Sequence, residues 1–418
     1  MSHAQEESTT MPVSTLSESP ALSRIEGNAT SPKGYRAAGI HCGVKREKPD
    51  LALLVSEVSA SAAGVFTTNK VKAAPVRYTQ RAVAGGHAQA IVVNSGNANA
   101  CTGDAGLADS EEMAKLASEA LGVDAELVLV ASTGVIGVPL PMDAIRSGIP
   151  RAARELSSDG SAAARAILTT DNFPKTAATR LEIDGVEVTI GGMAKGAGMI
   201  HPNLATTLCF LTTDAAVPPA VLRGALKRAV SESFNAITVD GDTSTNDTVL
   251  LLANGRAGGA PIGNGEALSR FTEGLTLVAG ELARMVVRDG EGATKLVEIA
   301  VDGAASDIEA HQAAMTVANS LLVKTALHGG EPNWGRILAA LGRSGVEMNE
   351  ATTDVSFGQL LIVRGGLGVP GVSNAAAAAL EGKEISVRIR LGVGTGHAKV
   401  WTSDLSEEYV RINGSYTT

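Results

Sequence analysis

The sequence predicts a mixed α/β protein, α/β or α+β, built in layers of sheet and helix. Three observations carry this. Apolar, β-branched runs of strand length, such as QAIVVN (89–94) and TVLLLAN (248–254), mix with stretches whose apolar residues recur at helical spacing. The two kinds follow no regular βαβα beat, which sets the chain apart from a doubly wound nucleotide fold. Finally, 47 glycines beside only 3% aromatics make small residues dominant, favouring tight turns and close backbone approach.

Taken in order, residues 1–30 read as a flexible tail, opening with the polar MSHAQEESTTMPVSTLSESP. Order is expected from about Gly34, in GYRAAGIHCGVK (34–45). Residues 51–69 suit a strand, a turn and a second strand, and 89–103 a buried strand ending in a Gly/Asn-rich loop. Residues 109–121 predict a helix, with acidic residues in its first turn and Gly122 after its end. Residues 126–141 run from a strand into a glycine turn, and strands follow at 181–190 and 206–213. A helix is predicted over 219–237, with Pro at its start. A buried strand is predicted at 248–255. Further helices are expected at 264–287, 307–327 and 334–342, and strands at 295–301, 357–364, 384–390 and 397–402. AAAAAL (375–380) reads as a helix former.

Composition narrows the function classes. A formal charge of −9 argues against a nucleic-acid footprint, which needs clustered Lys and Arg. No apolar run approaches the ~18–20 residues of a membrane span. Cys42, Cys101 and Cys209 are far apart and form no CxxC, so a reducing cytoplasm is expected.

The usual chemical motifs fail. GMAKGAG (192–198) is no Walker loop, and GVGTG (392–396) stands in the wrong context for a dinucleotide fingerprint. DGDTSTND (240–247) resembles a calcium loop but has Thr245 at the sixth position and Leu251 at the twelfth. The histidines show no zinc spacing, and no GxSxG elbow appears, so neither a metal nor a resident cofactor is expected.

One stretch remains, KGAGMIHPNLATTLCF (195–210). From local pattern alone, a β-branched strand after a turn accounts for it. Chemistry offers another reading. A threonine hydroxyl is a poor nucleophile without a base, and Pro202 leads the chain away from His201. If the Ala205–Thr206 bond were cut, Thr206 would carry a free α-amine with a reference pKa of ~7.7–8.0, a base beside its own hydroxyl.

The stretch resembles the autoprocessing segment of the ornithine acetyltransferase family, also called glutamate N-acetyltransferase. The resemblance extends from about residue 30 to the end. It runs in family order through GYRAAGIHCGVK (34–45), GVFTTNKVKAAPV (64–76), VNSGNANACTG (93–103), STGVIG (132–137), TTDNFPK (169–175), TVDGDTSTND (238–247), RDGEGATK (288–295), GGEPNWGRI (329–337) and WTSDLSEEYVRIN (401–413). It implies a layered αββα sandwich of the N-terminal-nucleophile type. It further implies self-cleavage between Ala205 and Thr206 into chains 31–205 and 206–418, assembled as an α2β2 heterotetramer.

The implied reaction moves an acetyl group from N2-acetylornithine to glutamate in arginine biosynthesis, with Thr206 as the nucleophile. By family position, Thr133 and Gly134 form the oxyanion hole, and Thr169, Lys195, Thr206, Glu291, Asn413 and Thr418 bind substrate. Whether Thr169 or Thr170 points inward is open, as is use of acetyl-CoA as co-substrate. The sequence departs from the pattern at Asn172, where a small hydroxyl residue is expected, and at Thr207, where the family often has Met. The rival readings are a related self-processing aminopeptidase or amidase, and an uncut small-molecule binder.

Overall fold

The computed structural model describes residues 22–201 and 207–415. Within them the chain builds two sheets. The first has nine strands. Across it lie Leu22–Ile25, Lys175–Ile183, Val186–Lys195, Leu208–Thr213, Thr248–Ala253, Leu51–Phe66, His87–Asn97 and Val128–Val135, with Tyr35–Ile40 also paired to Leu51–Phe66. The second has seven, in the order Leu367–Gly368, Leu360–Arg364, Asp354–Phe357, Glu384–Arg390, Leu296–Ala304, Gly396–Ser403 and Ile237–Thr238. The mixed α/β class expected from sequence is the class found.

Burial explains why the central strands are apolar throughout. On His87–Asn97, Ala90 and Val92 face the helices Gly103–Leu121 and Met142–Arg154, while Ile91 and Val93 join a second core with Ala163, Ala164 and Phe210. A strand covered on both faces has no polar side to alternate with. Farther along the same sheet, Ile190, Leu211 and Leu251 pack with Phe271, Leu275 and Leu282 of the helix Gly265–Arg288. The second sheet has its own core, where Ile299, Val387 and Val400 meet the helices Asp307–Ala318, Leu321–His328 and Trp334–Gly342. Among the described residues no helix is long and apolar enough to cross a membrane.

Several expected elements are redrawn. Residues 51–66 form one strand with no turn, and a shift of register between Val55 and Ala60 absorbs the irregularity. The strand expected at 181–190 is a hairpin, Lys175–Ile183 with Val186–Lys195, turning at Asp184 (φ 49°) and Gly185 (φ 79°). Asp-Gly with both residues left-handed is the favoured two-residue hairpin turn, so the signal was in the sequence. The helix expected at 307–327 is two, because Ser320 caps a new helix by accepting from the Val323 amide. The strand expected at 357–364 is two strands turning at Gly358 (φ 58°). Within the stretch assigned to a tail, Leu22–Ile25 pairs antiparallel with Lys175–Ile183.

The strand Leu208–Thr213 is the middle of the first sheet. Its six residues are all buried, antiparallel to Val186–Lys195 on one side and parallel to Thr248–Ala253 on the other. Phe210 is fully buried there among Met193 and Leu250. Phe210→Ala should therefore cost about 3–5 kcal/mol of stability, the range for truncating a large buried ring. Urea unfolding measures it, and a loss below about 1 kcal/mol would mean the strand is not the core element described.

Candidate active site

Lys195 ends the strand Val186–Lys195 and is 3% exposed. Its ammonium donates to the Thr169 hydroxyl at 2.6 Å and, more weakly, to the Thr133 hydroxyl at 3.4 Å. Thr169 and Thr170 both line the cavity, and the Thr169 hydroxyl is the one Lys195 meets.

Thr133 and Gly134 lie on Val128–Val135, where the parallel partner His87–Asn97 slips register at Gly96 and Asn97. Gly134 has φ 136°, and a Cβ there would stand 2.3 Å from the Gly96 carbonyl carbon. Only glycine permits this approach, which holds Thr133 and the Gly134 amide at the rim of the cavity.

Beneath Lys195 lies a line of buried charge. Asp171 accepts from the Lys175 ammonium at 2.7 Å, the Gly196 amide at 2.7 Å and the Thr169 amide at 2.9 Å, and stands 3.8 Å from the Lys195 ammonium. Lys175, with no exposed side-chain surface, also donates to Asp289 at 2.6 Å. Asp289 in turn accepts from the backbone and side-chain amides of Asn172. Asn172, the departure from the family pattern, thus serves to hold Asp289. Burial pushes the Asp171 carboxyl up, but Lys195 and Lys175 outweigh it and hold it below the usual carboxylate range. Burial dominates and lowers the Lys195 ammonium below the usual lysine range, and Asp171 is the charge that most opposes this.

The opposite wall comes from the second half of the chain. The Glu291 amide donates to the Ala197 carbonyl at 2.8 Å, and its carboxylate accepts from the Asn413 side chain at 2.8 Å. Gly198 makes room for it, since a Cβ there would lie 2.4 Å from a Glu291 oxygen. Asn413 ends the helix Glu407–Asn413, which also carries Tyr409. The Tyr409 hydroxyl donates to Asp240 at 3.3 Å, and Asp240 accepts from the Met199 and Ile200 amides at 2.7 and 2.8 Å. Burial raises the Asp240 carboxyl, and burial together with Asp240 raises the Tyr409 phenol.

These groups surround one cavity of about 260 Å³, lined by Thr133, Gly134, Thr169, Lys195, Glu291 and Asn413 among others. Six candidate residues from five separated stretches therefore meet at one place. Ala205, Thr206 and Thr418 lie outside the described residues. Thr207 is described and buried. Its amide donates to Asp247 at 2.9 Å, and its carbonyl accepts from the Thr248 amide at 3.0 Å. Asp247 is buried, and desolvation raises its carboxyl well above the ordinary value. His201 is turned to the Thr238 hydroxyl at 3.3 Å.

Sequence reasoning missed Asp171, Asp240, Asp247 and Tyr409. All four lie inside motifs already singled out. The DGDTSTND run, tested above as a calcium loop, instead supplies Asp240 to two amides and Asn246, which ties Ala98 to Ser132 through their carbonyls.

A model of the ArgJ family matches residues 36–418. The arginine biosynthesis bifunctional protein ArgJ of Symbiobacterium thermophilum is 54% identical over 399 residues, covering 94% of this chain and 99% of that protein. The protein of that name from Thermosynechococcus vestitus is 49% identical over 414 residues, covering 94% and 99%. A crystal structure of ornithine acetyltransferase complexed with ornithine, from Mycobacterium tuberculosis, is 43% identical and covers 43% of this chain and 98% of that chain, with a TM-score of 0.41.

Asp404 yields a prediction. Its carboxylate accepts from the Thr294 and Lys295 amides, the Thr294 hydroxyl and His328, so it braces the loop that presents Glu291. Burial raises this carboxyl, yet those hydrogen bonds win and hold it below its ordinary 3.8. A carboxyl depressed on folding adds stability above its unfolded pKa and loses it as pH falls through the folded one. Asp404→Asn should be less stable than the parent by about 1–3 kcal/mol at neutral pH. The gap should narrow below about pH 4. Denaturant titrations across pH measure it, and a gap that is constant down to the acid limb would contradict the assignment.

Proposed function

The chain belongs to the ArgJ family, and from that premise we propose that it transfers an acetyl group from N2-acetylornithine to glutamate through an acetyl-Thr206 ester, after cutting itself between Ala205 and Thr206. The observation that carries this reading is the convergence on one cavity of Thr133, Gly134, Thr169, Lys195, Glu291 and Asn413, which lie up to 280 residues apart in sequence, Thr133 to Asn413.

In processing, the Thr206 hydroxyl attacks the Ala205 carbonyl, the peptide nitrogen leaves as an amine, and water releases the ester. Thr206 then owns an α-amine that accepts its hydroxyl proton. In the first half-reaction the Thr206 oxygen attacks the acetyl carbonyl of N2-acetylornithine. The negative oxygen that develops faces the Thr133 hydroxyl and the Gly134 N–H, donors fixed before reaction begins. Collapse breaks the C–N bond, and the departing ornithine amine takes the proton from the Thr206 ammonium. In the second half-reaction the glutamate amine attacks the acetyl ester and gives up a proton to the Thr206 amine; the ester C–O bond breaks, the Thr206 oxygen takes that proton back, and N-acetylglutamate leaves. Two substrates used in turn through one ester give ping-pong kinetics.

The cavity suits such substrates. An ammonium, Lys195, stands on one wall for a carboxylate, and Glu291 on the other for an amine. Both halves of the cut chain are expected to stay together and to pair as α2β2, in the cytoplasm. Support for the first part comes from the sheet, where Leu208–Thr213 and Thr248–Ala253 lie between strands that precede the cut.

Thr206→Ala should run as one full-length band on a denaturing gel and lose acetyl transfer by at least about 1,000-fold, as nucleophile removal does. The parent should give two bands of similar size and make N-acetylglutamate from N-acetylornithine only when glutamate is present. Acetate released without glutamate would point to the amidase reading instead. Replacing N-acetylornithine by acetyl-CoA decides whether this chain takes that donor.

A further inference from the structure

We propose that Asp171 is a positioning residue for acetyl transfer: it holds Lys195 as a cation, aimed between the Thr133 and Thr169 hydroxyls. The inference rests on the reading of this cavity as the acetyl-transfer site.

Three features place the role on Asp171. Among the described residues it is the one carboxylate within 4.0 Å of the Lys195 ammonium. It fixes both ends of the Lys195–Thr169 contact, because its two oxygens accept from the Thr169 amide and from the amide of Gly196, next after Lys195. It is itself held by Lys175, which Asp289 pins from the far side. The line Lys195, Asp171, Lys175, Asp289 alternates in sign and sums to zero, so no charge in it stands uncompensated.

Other charges also act on Lys195. Lys175 lies behind Asp171 and disfavours the cation, while Glu291 across the cavity and Asp247 beside Thr207 favour it. Lys45 is a further repelling neighbour, held by the Pro49 and Leu168 carbonyls. Of the groups that favour the cation, Asp171 acts on Lys195 most strongly. Removing its charge lets the ammonium lose its proton at lower pH.

The test is the pH profile of kcat/KM. In Asp171→Asn the basic limb should move to lower pH by about one unit or more, the effect of removing a close opposite charge. Asp289→Asn, which removes a charge of the same line that does not touch Lys195, should lower stability and move that limb less than Asp171→Asn does. Asp171→Glu keeps the charge and should restore much of the limb. A folded, processed Asp171→Asn enzyme with an unmoved basic limb overturns the proposal.

A second measurement needs no variant of Asp171. In parent protein carrying 13C-labelled lysine, assigned with Lys195→Met, the Lys195 side-chain signal should report an ammonium at pH 7. A neutral amine there overturns the proposal as well. This readout does not use turnover. Failure of the acetyl-transfer reading, seen as no N-acetylglutamate from processed parent enzyme, is therefore distinguishable from failure of the role given to Asp171.

Discussion

The site depends on a line of four buried charges. Each of Asp289, Lys175, Asp171 and Lys195 loses several kcal/mol of hydration on burial, and ion pairing recovers that only with good geometry and filled hydrogen bonds. Both conditions are met here. Asp171 takes two backbone amides besides Lys175, and Asp289 takes both amides of Asn172. Such a line is weak evidence for stability, but it constrains position strongly. Moving Lys175 breaks hydrogen bonds on both sides of it, and moving Asp171 breaks its hydrogen bonds to Lys175 and two amides and its ion pair with Lys195. Lys195 sits at the open end, and its ammonium is the one that reaches hydroxyls lining the cavity. A cation placed this way combines low solvent access with a fixed direction, which is what electrostatic catalysis requires of a donor.

The second half of the site is assembled by carboxylates acting as staples. Asp240 joins the Met199–Ile200 backbone to the helix Glu407–Asn413 through Tyr409. Asp404 joins residues 294–295 to His328. The Ser406 hydroxyl, on the Gly292 carbonyl, fixes the start of that helix against the Glu291 loop. Glycine complements these staples by omission. Gly198 leaves the volume that the Glu291 carboxylate fills, and Gly134 leaves the volume that the Gly96–Asn97 backbone fills. The glycine-rich composition therefore serves local closeness at the site as well as turns.

How legible this was depended on how local the cause is. Strand Thr248–Ala253 and helix Gly265–Arg288 announce themselves, because their apolar patterns are written in neighbouring residues. The Asp184-Gly185 hairpin was equally local and was missed for want of weighing that dipeptide. The course of Leu51–Phe66 was not local. It stays extended past Ser56 because two partners, Tyr35–Ile40 and Thr248–Ala253, pair along its length. The site shows the same division. Resemblance put Thr133, Gly134, Thr169, Lys195, Glu291 and Asn413 on the page, and the structure places them around one cavity. Asp171 escaped because its meaning lies in Lys175 and Asp289, and the latter is 118 residues away in sequence. No spacing rule links groups that only the folded sheet brings together.

The first sheet also bears on how the chain would tolerate the proposed break before Thr206. From one edge, its order runs through three strands that precede residue 205, then two that follow it, then strands that precede it again. Leu208–Thr213 and Thr248–Ala253 are thus held on both outer sides by strands of the first half, through full ladders of backbone hydrogen bonds. Separating the halves would open two such ladders and expose Phe210, Leu211, Leu250 and Leu251. One peptide bond contributes little against that. A cut before Thr206, as proposed, would free a chain end without freeing the strand that follows, because Thr207 is fastened by Asp247 and Thr248. On the proposed reading, the new terminus would act as a chemical group while the sheet around it remains closed.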